Sequence, residues 1–165
     1  MSPTDPHTRI MRIIFSRSRH LGSVLIRAGS WWGAWSHCSL LVPGGLVIES
    51  VAARGGVVIT PLSGLLARVS EHQCLDLPTP DDASGYTWAE STIGAPYDWG
   101  GVLAIPGRQR KWQDSARWYC SEHCATALEV AGRRLVRPRV PGIHPDTLHA
   151  LMWAAGARPV ELTTN

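Results

Sequence analysis

Apolar positions along the chain fall into short blocks punctuated by glycine and proline, and in the first half they carry strand spacing rather than helix spacing. Residues 10–15 read as a first strand, and residues 21–27 as a further short element. Residues 36–42 follow a tryptophan-rich stretch (Trp31, Trp32, Trp35) and read as a strand. Pro43, Gly44 and Gly45 supply a turn, and residues 46–50 return antiparallel, so a hairpin is predicted. Arg54, Gly55 and Gly56 mark a second turn before the β-branched run Val57, Val58, Ile59, Thr60. Residues 61–70 read as a short helix or turn, and residues 74–77 as another strand.

The second half changes period. Pro78 and Pro80 break the strand pattern, and Asp81 and Asp82 stand where a carboxylate satisfies the free amides of a helix start. A helix is predicted over 83–93, ended by Gly94 and Pro96. Residues 98–117 contain Gly, Arg and Gln without periodicity, and irregular stretches of that length inside a domain are often functional. A helix over 120–131 places Cys124, Ala127, Leu128 and Ala131 on one face and ends at Gly132; a last helix is predicted over 145–155. Hairpin strands followed by helices give an α+β fold, with no internal repeat and no low-complexity tract.

Composition narrows the class. With 165 residues and 44% hydrophobic content, the chain suffices for one domain with its own core, and residues 1–9 form a polar lead-in. Eight Trp against one Phe supply rings for the core and for lining a groove. The net charge of +3 is carried almost wholly by Arg, Lys111 being the only Lys. Arg108, Arg110, Lys111 and Arg117 make one basic stretch, and Arg133, Arg134, Arg137 and Arg139 another. Two readings stand: solvated surface, or attraction to an anionic partner such as nucleic acid, lipid headgroups or cell-wall polymer. No apolar run approaches the ~18 residues of a membrane helix, and no signal-peptide pattern is found at the start.

The four cysteines are Cys38, Cys74, Cys120 and Cys124. A disulfide framework does not suit a chain of this kind, and the spacing of His37, Cys38, Cys120, His123 and Cys124 matches no standard zinc finger or ribbon. Cysteine catalysis instead requires a thiolate, a base and a group that orients the base. Cys120 falls at a predicted helix start, where the helix dipole and free amides lower a thiol pKa and its own amide can hold an oxyanion. Cys124 lies a turn further in, on the apolar face, and Cys38 points to the opposite strand face from His37; both read as core. His37 lies inside a strand, where a lone His is more often structural. In a hairpin turning near Gly44, however, Glu49 stands opposite or diagonal to it on the same face. There it either accepts from one imidazole nitrogen or is a solvated strand residue. His144 reads as a residue leading into the last helix, and His123 and His149 as helix residues.

Tyr119, Cys120, Ser121 and Glu122, followed by a helix, resemble the nucleophile motif of the circularly permuted papain-like amidases of the YaeF/YiiX type, which carry their His before their Cys. His37, Gly44 with Gly45, Val47 with Ile48 and Glu49, and Gly56 with Val57 and Val58 match that group in order. Gly94, Pro96, Tyr97 and Asp98 are similar to the step before its nucleophile. Pro96, Tyr97, Trp99, Gly100 and Gly101 also resemble a motif of the NlpC-type cell-wall peptidases, whose tyrosine stabilises the oxyanion. The likeness spans roughly residues 35–130, and it departs from the group at His123 with Cys124, at Cys38 to Leu40, and in the basic insertion after Gly101.

The resemblance implies an α+β papain-like fold of the permuted NlpC type, an antiparallel sheet packed with helices in a single domain. It implies a cysteine hydrolase in which Cys120 attacks and forms a thioester, His37 moves the proton, Glu49 orients His37, and Tyr97 with the Cys120 amide holds the oxyanion. No cofactor or metal is expected. The expected substrate is an amide in peptidoglycan peptides or, failing that, an acyl lipid in a hydrolase or acyltransferase reaction. No nucleic acid is expected as a substrate. A non-catalytic module holding an anionic partner through the basic stretch is the rival reading. A cell-wall role would call for delivery by a phage particle or a secretion system.

Overall fold

The computed structural model describes residues 9–18, 33–99, 116–136 and 143–162. The expected element at 21–27, Trp31, Trp32, most of the 98–117 stretch with Arg108, Arg110 and Lys111, and Arg137 and Arg139 lie outside the described residues.

Six strands form one antiparallel sheet: β1 (Ile10–Arg17), β2 (His37–Val42), β3 (Leu46–Val51), β4 (Gly56–Pro61), β5 (Glu71–Pro78) and β6 (Arg158–Val160), in the spatial order β4-β3-β2-β1-β5-β6. Among the described residues four α-helices accompany it: α1 (Leu62–Leu66), α2 (Asp82–Ser91), α3 (Cys120–Val130) and α4 (Pro145–Ala154). The fold is therefore α+β, an antiparallel sheet packed with helices.

Alternation along the strands divides the core. Met11, Ile13, Phe15, Leu40, Ile48, Leu75 and Leu77 pack with Ala127 and Leu128 of α3 and with Leu148 and Met152 of α4. On the other face Ile14, Leu41, Val47 and Cys74 pack with Leu62 and Leu65 of α1. A strand clothed on both faces by fully buried residues explains the near-continuous apolar runs in β1 and β2.

The hairpin register pairs Leu40 with Ile48 and Leu41 with Val47. Continued toward the start of β2, this register places position 39 opposite Glu49 and leaves His37 on the diagonal, on the same face. The start of β4 is clamped to the segment after α2. Val57 N donates to Ala95 O at 2.9 Å, and Tyr97 N to Gly55 O at 2.8 Å. A side chain on Gly56 would meet Ala95 O at 1.9 Å, so only glycine admits this approach. Asp81 caps α2 by accepting from Ser84 N, as its position in the sequence predicts.

Two strands exceed the sequence expectation. β5 begins at Glu71, three polar residues before the apolar run, because β1 supplies a full-length pairing partner. β6 has three residues, one of them Pro159, and is a strand only through its pairing with residues 74–76 of β5.

Candidate functional site

Three backbone devices converge on the N-terminus of α3. Trp118 N donates to Pro96 O at 3.1 Å, and Asp98 N donates to Trp118 O at 3.1 Å, tying the Tyr97 segment alongside the approach to the helix. Ser50 Oγ donates to the same Trp118 carbonyl at 2.6 Å, fixing this crossing to β3. Helix α3 itself packs on β2 and β3. Its N-cap, Tyr119, makes no side-chain capping bond, so the amides of the first turn are open to a negative charge.

Cys120, the first residue of α3, is 5% exposed. Cys38 and His37 are the groups that act most strongly on its thiol, against burial. The Cys38 contact is the largest influence on its pKa; together with the His37 hydrogen bond and charge it overcomes burial and holds the thiol well below its ordinary range. His37 Nε2 faces Glu49 Oε2 at 3.0 Å, which leaves Nδ1 for Cys120. Burial opposes a charge on His37, but the hydrogen bonds and charges of Cys120 and Glu49 outweigh it and raise its pKa to about 10. Glu49, whose side chain is fully buried, accepts from Thr60 Oγ1 at 2.8 Å and from Arg68 as well as facing His37. Burial favours its neutral form, yet His37, then Arg68 and Thr60, bring its pKa down to about 2. These directions favour alternating charge along the site: thiolate, imidazolium, carboxylate, guanidinium.

Tyr97 is 6% exposed and is bridged to Trp118, two residues before Cys120. Burial, followed by the charges of Cys120, Asp98 and Cys38, pushes its phenol well above the usual range, so it stays protonated and able to donate. Its ring lies 5.1 Å from that of Trp99, which is exposed. The structure thus pairs His37 with Glu49 and lays the Tyr97 segment beside the approach to Cys120.

Sequence reasoning missed Thr60 and Arg68. Thr60 lies on β4 and carries only the signal of odd-even alternation with Glu49; Arg68 follows α1, and nothing in the sequence points to it. It also read Cys38 as core alone. Cys38 does sit in the main core cluster with Cys120 and Cys124, and it is also the largest influence on the Cys120 thiol. His144 caps α4 by accepting from Asp146 N, as expected for a residue leading into a helix.

No protein-family model matches the chain. No curated protein matches it in sequence. Among solved structures it is similar to the crystal structure of metalloprotein yiiX from Escherichia coli O157:H7 (DUF1105), with a TM-score of 0.65 and 19% identity over 93% of this chain and 96% of that one. At that identity the likeness shows the fold. It also corrects the expectation of a cysteine peptidase or amidase, and with it the hydrolysis of peptidoglycan peptides and the acyl-lipid variant: this fold is carried by a protein known as a metalloprotein, so the fold brings no thiol-protease activity with it.

A metal does not fit the residues described here either. Among them no group of three or more His, Cys, Asp or Glu could hold an ion. His37 Nε2 is already engaged by Glu49. No described helix is long and apolar enough to cross a membrane.

Proposed function

We propose that this chain presents a preformed thiolate, Cys120, to an electrophilic ligand, with His37 as its counter-cation, Glu49 as the group that orients His37, and Tyr97 as a hydrogen-bond donor at the same site. The observation that carries the reading is the His37 Nε2–Glu49 Oε2 hydrogen bond at 3.0 Å, with Cys120 at the N-terminus of α3 and His37 among the groups that hold its thiol pKa down. In that arrangement the proton lost by the thiol resides on the imidazole, and the buried carboxylate makes this separation of charge favourable. Arg68 and Thr60 keep Glu49 ionised and fixed, so the imidazole cannot rotate away without breaking its bond to the carboxylate. His37 keeps 23% of its side-chain surface open, so the pair meets solvent on the histidine side. A thiolate held in this way needs no base at the moment of reaction and bonds directly to soft electrophilic carbon.

The reading is tested by alkylation of the whole protein with iodoacetamide across pH, with each of the four cysteines followed separately by mass spectrometry. The S–C bond forms as iodide leaves. Cys120 is expected to react at pH 6 almost as fast as at pH 8. The His37→Ala variant should lose that acid-side reactivity by on the order of a hundredfold, since a thiol of pKa ~8.5 is almost wholly protonated at pH 6. A Cys120 that titrates like an ordinary or buried thiol in the native protein overturns the reading.

A further inference from the structure

The chain enters α3 through a parallel crossing. Tyr97 and Trp118 form a parallel bridge, closed by Trp118 N donating to Pro96 O and Asp98 N donating to Trp118 O, both at 3.1 Å. Segments paired in parallel run side by side in the same direction, about 4.8 Å apart. Two residues on from the bridge, position 99 and position 120 therefore leave the crossing on the same side, and position 120 is the one that opens α3. The crossing is also anchored to the sheet, since Ser50 Oγ donates to the Trp118 carbonyl at 2.6 Å.

The two aromatic residues of this segment are treated differently. Tyr97 is buried, whereas Trp99 is 57% exposed, the most open of the large apolar side chains among the described residues. Their rings meet edge to face, with centroids 5.1 Å apart. Other tryptophans are spent on packing: Trp118 lies against Trp88 with centroids 5.1 Å apart, and Trp35 sits in the main core with Phe15. Trp99 instead keeps apolar ring surface in water, where covering it is favourable. A ring already held at one edge loses little further freedom when a ligand packs on it.

We infer that Trp99 is a recognition surface of the thiolate site, a ring on which a ligand packs a flat aromatic group while Cys120 bonds to an electrophilic carbon a short arm away. The inference rests on the thiolate reading above and adds to it the class of ligand. Tyr97 sets the tilt of the Trp99 ring, and the Trp118 crossing holds both beside the start of α3.

The test compares two reagents that share one reacting carbon and one leaving group, iodoacetamide and N-benzyl-iodoacetamide. Each is applied to the full-length protein at pH 7, and alkylation of Cys120 is followed by mass spectrometry. In both, the S–C bond forms as iodide leaves, so the ratio of the two rates, divided by the same ratio for glutathione, reports the benzyl group alone. The wild type is expected to favour the benzyl reagent roughly three- to tenfold, the range of one added aromatic pair. Trp99→Ala should bring the corrected ratio to about one, and Trp99→Phe should keep most of the preference. A wild-type ratio equal to that of glutathione overturns the inference, as does an alanine variant that keeps the wild-type ratio. So does a phenylalanine variant that loses as much as alanine, since that reports a disturbed crossing rather than a lost ring. The thiolate reading fails separately, on the pH dependence of the iodoacetamide rate in the wild type, which does not enter the ratio.

Discussion

Two histidines lie within the electrostatic reach of the same sulfur, and their pKa values are displaced in opposite directions. His37 at the start of β2 is held up to about 10, whereas His123, one turn into α3, is pushed down to about 4. Burial acts on both in the same direction, toward the neutral ring. For His123 nothing outweighs it: its ring lies against Trp88 and Trp118, with centroids 5.2 and 6.2 Å away, and the Cys120 charge only tempers the shift. Its Nε2 meets Thr92 Oγ1 at 2.8 Å. The Thr92 hydroxyl gives its one proton to Ala89 O, so it accepts from the His123 N–H. Nδ1 then carries the lone pair and has no partner among the described residues. His37 differs in having a buried carboxylate at 3.0 Å. The charge on an imidazole in this fold is thus set by the anions beside it, Cys120 and Glu49 for His37, and burial alone would reverse it.

The strongest way to break that contrast is Glu49→Gln. The amide keeps the shape and a hydrogen bond, but removes the charge that stabilises the His37 imidazolium and pairs with Arg68. Losing one partner of a buried ionic group costs about 3–5 kcal/mol, and the lower end is expected here because Arg68 can turn its charge to solvent. Urea denaturation at pH 7 is the measurement. His37 should then resemble His123, neutral at pH 7, and Cys120 should lose its acid-side reactivity with it. Retention of full stability would show that Glu49 is no more than a tolerated strand residue.

How far such a contrast could be read from the sequence depended on whether the responsible contact is local. The hairpin turn at Gly44 sets a register in which His37 and Glu49 share a face, so alternation alone reached that pair. The helix start at Cys120 was legible because Trp118 and Tyr119 lead without periodicity into an apolar helix face. What alternation could not show is contact across elements. It assigned Cys38 to the face away from His37, which is correct for the strand, but it could not show that α3 brings Cys120 into the same buried cluster as Cys38. Arg68 reaches Glu49 from the turn after α1, a tertiary contact with no spacing to announce it. β6 was invisible because its three residues carry no pattern, and the start of β5 because Glu71, His72 and Gln73 are polar.

A smaller effect sharpens the comparison through pH. In the unfolded chain His37 releases its proton near ~6.5 and Cys120 near ~8.5. In the folded chain Cys120 has already released its proton, and His37 keeps its own up to about 10. Below ~6.5 the unfolded pair therefore holds one more proton than the folded pair, and stability rises with pH. From ~6.5 to ~8.5 each state holds one proton, and the contribution is flat. Above ~8.5 the folded pair holds the extra proton, so stability falls as pH rises toward about 10. The difference in unfolding free energy between wild type and His37→Ala, measured in urea from pH 5 to 10, is expected to form this plateau with a decline on either side. A difference that keeps rising through pH 10 would show that the imidazole is not charged.

The smallest expected effect is at the other histidine. His123→Phe keeps a planar ring against Trp88 and Trp118 while giving up the bond to Thr92. Deleting a neutral hydrogen bond costs about 1 kcal/mol, and removing the unpartnered Nδ1 returns a comparable desolvation penalty. The net change in stability should therefore lie within about 1 kcal/mol of zero. Because His123 is neutral above about 4, it supplies no charge to Cys120 at working pH, and the midpoint of Cys120 alkylation should not move. A shift comparable to that of His37→Ala would mean that the sulfur draws its counter-charge from inside α3, and the assignment of that role to the histidine on β2 would fall.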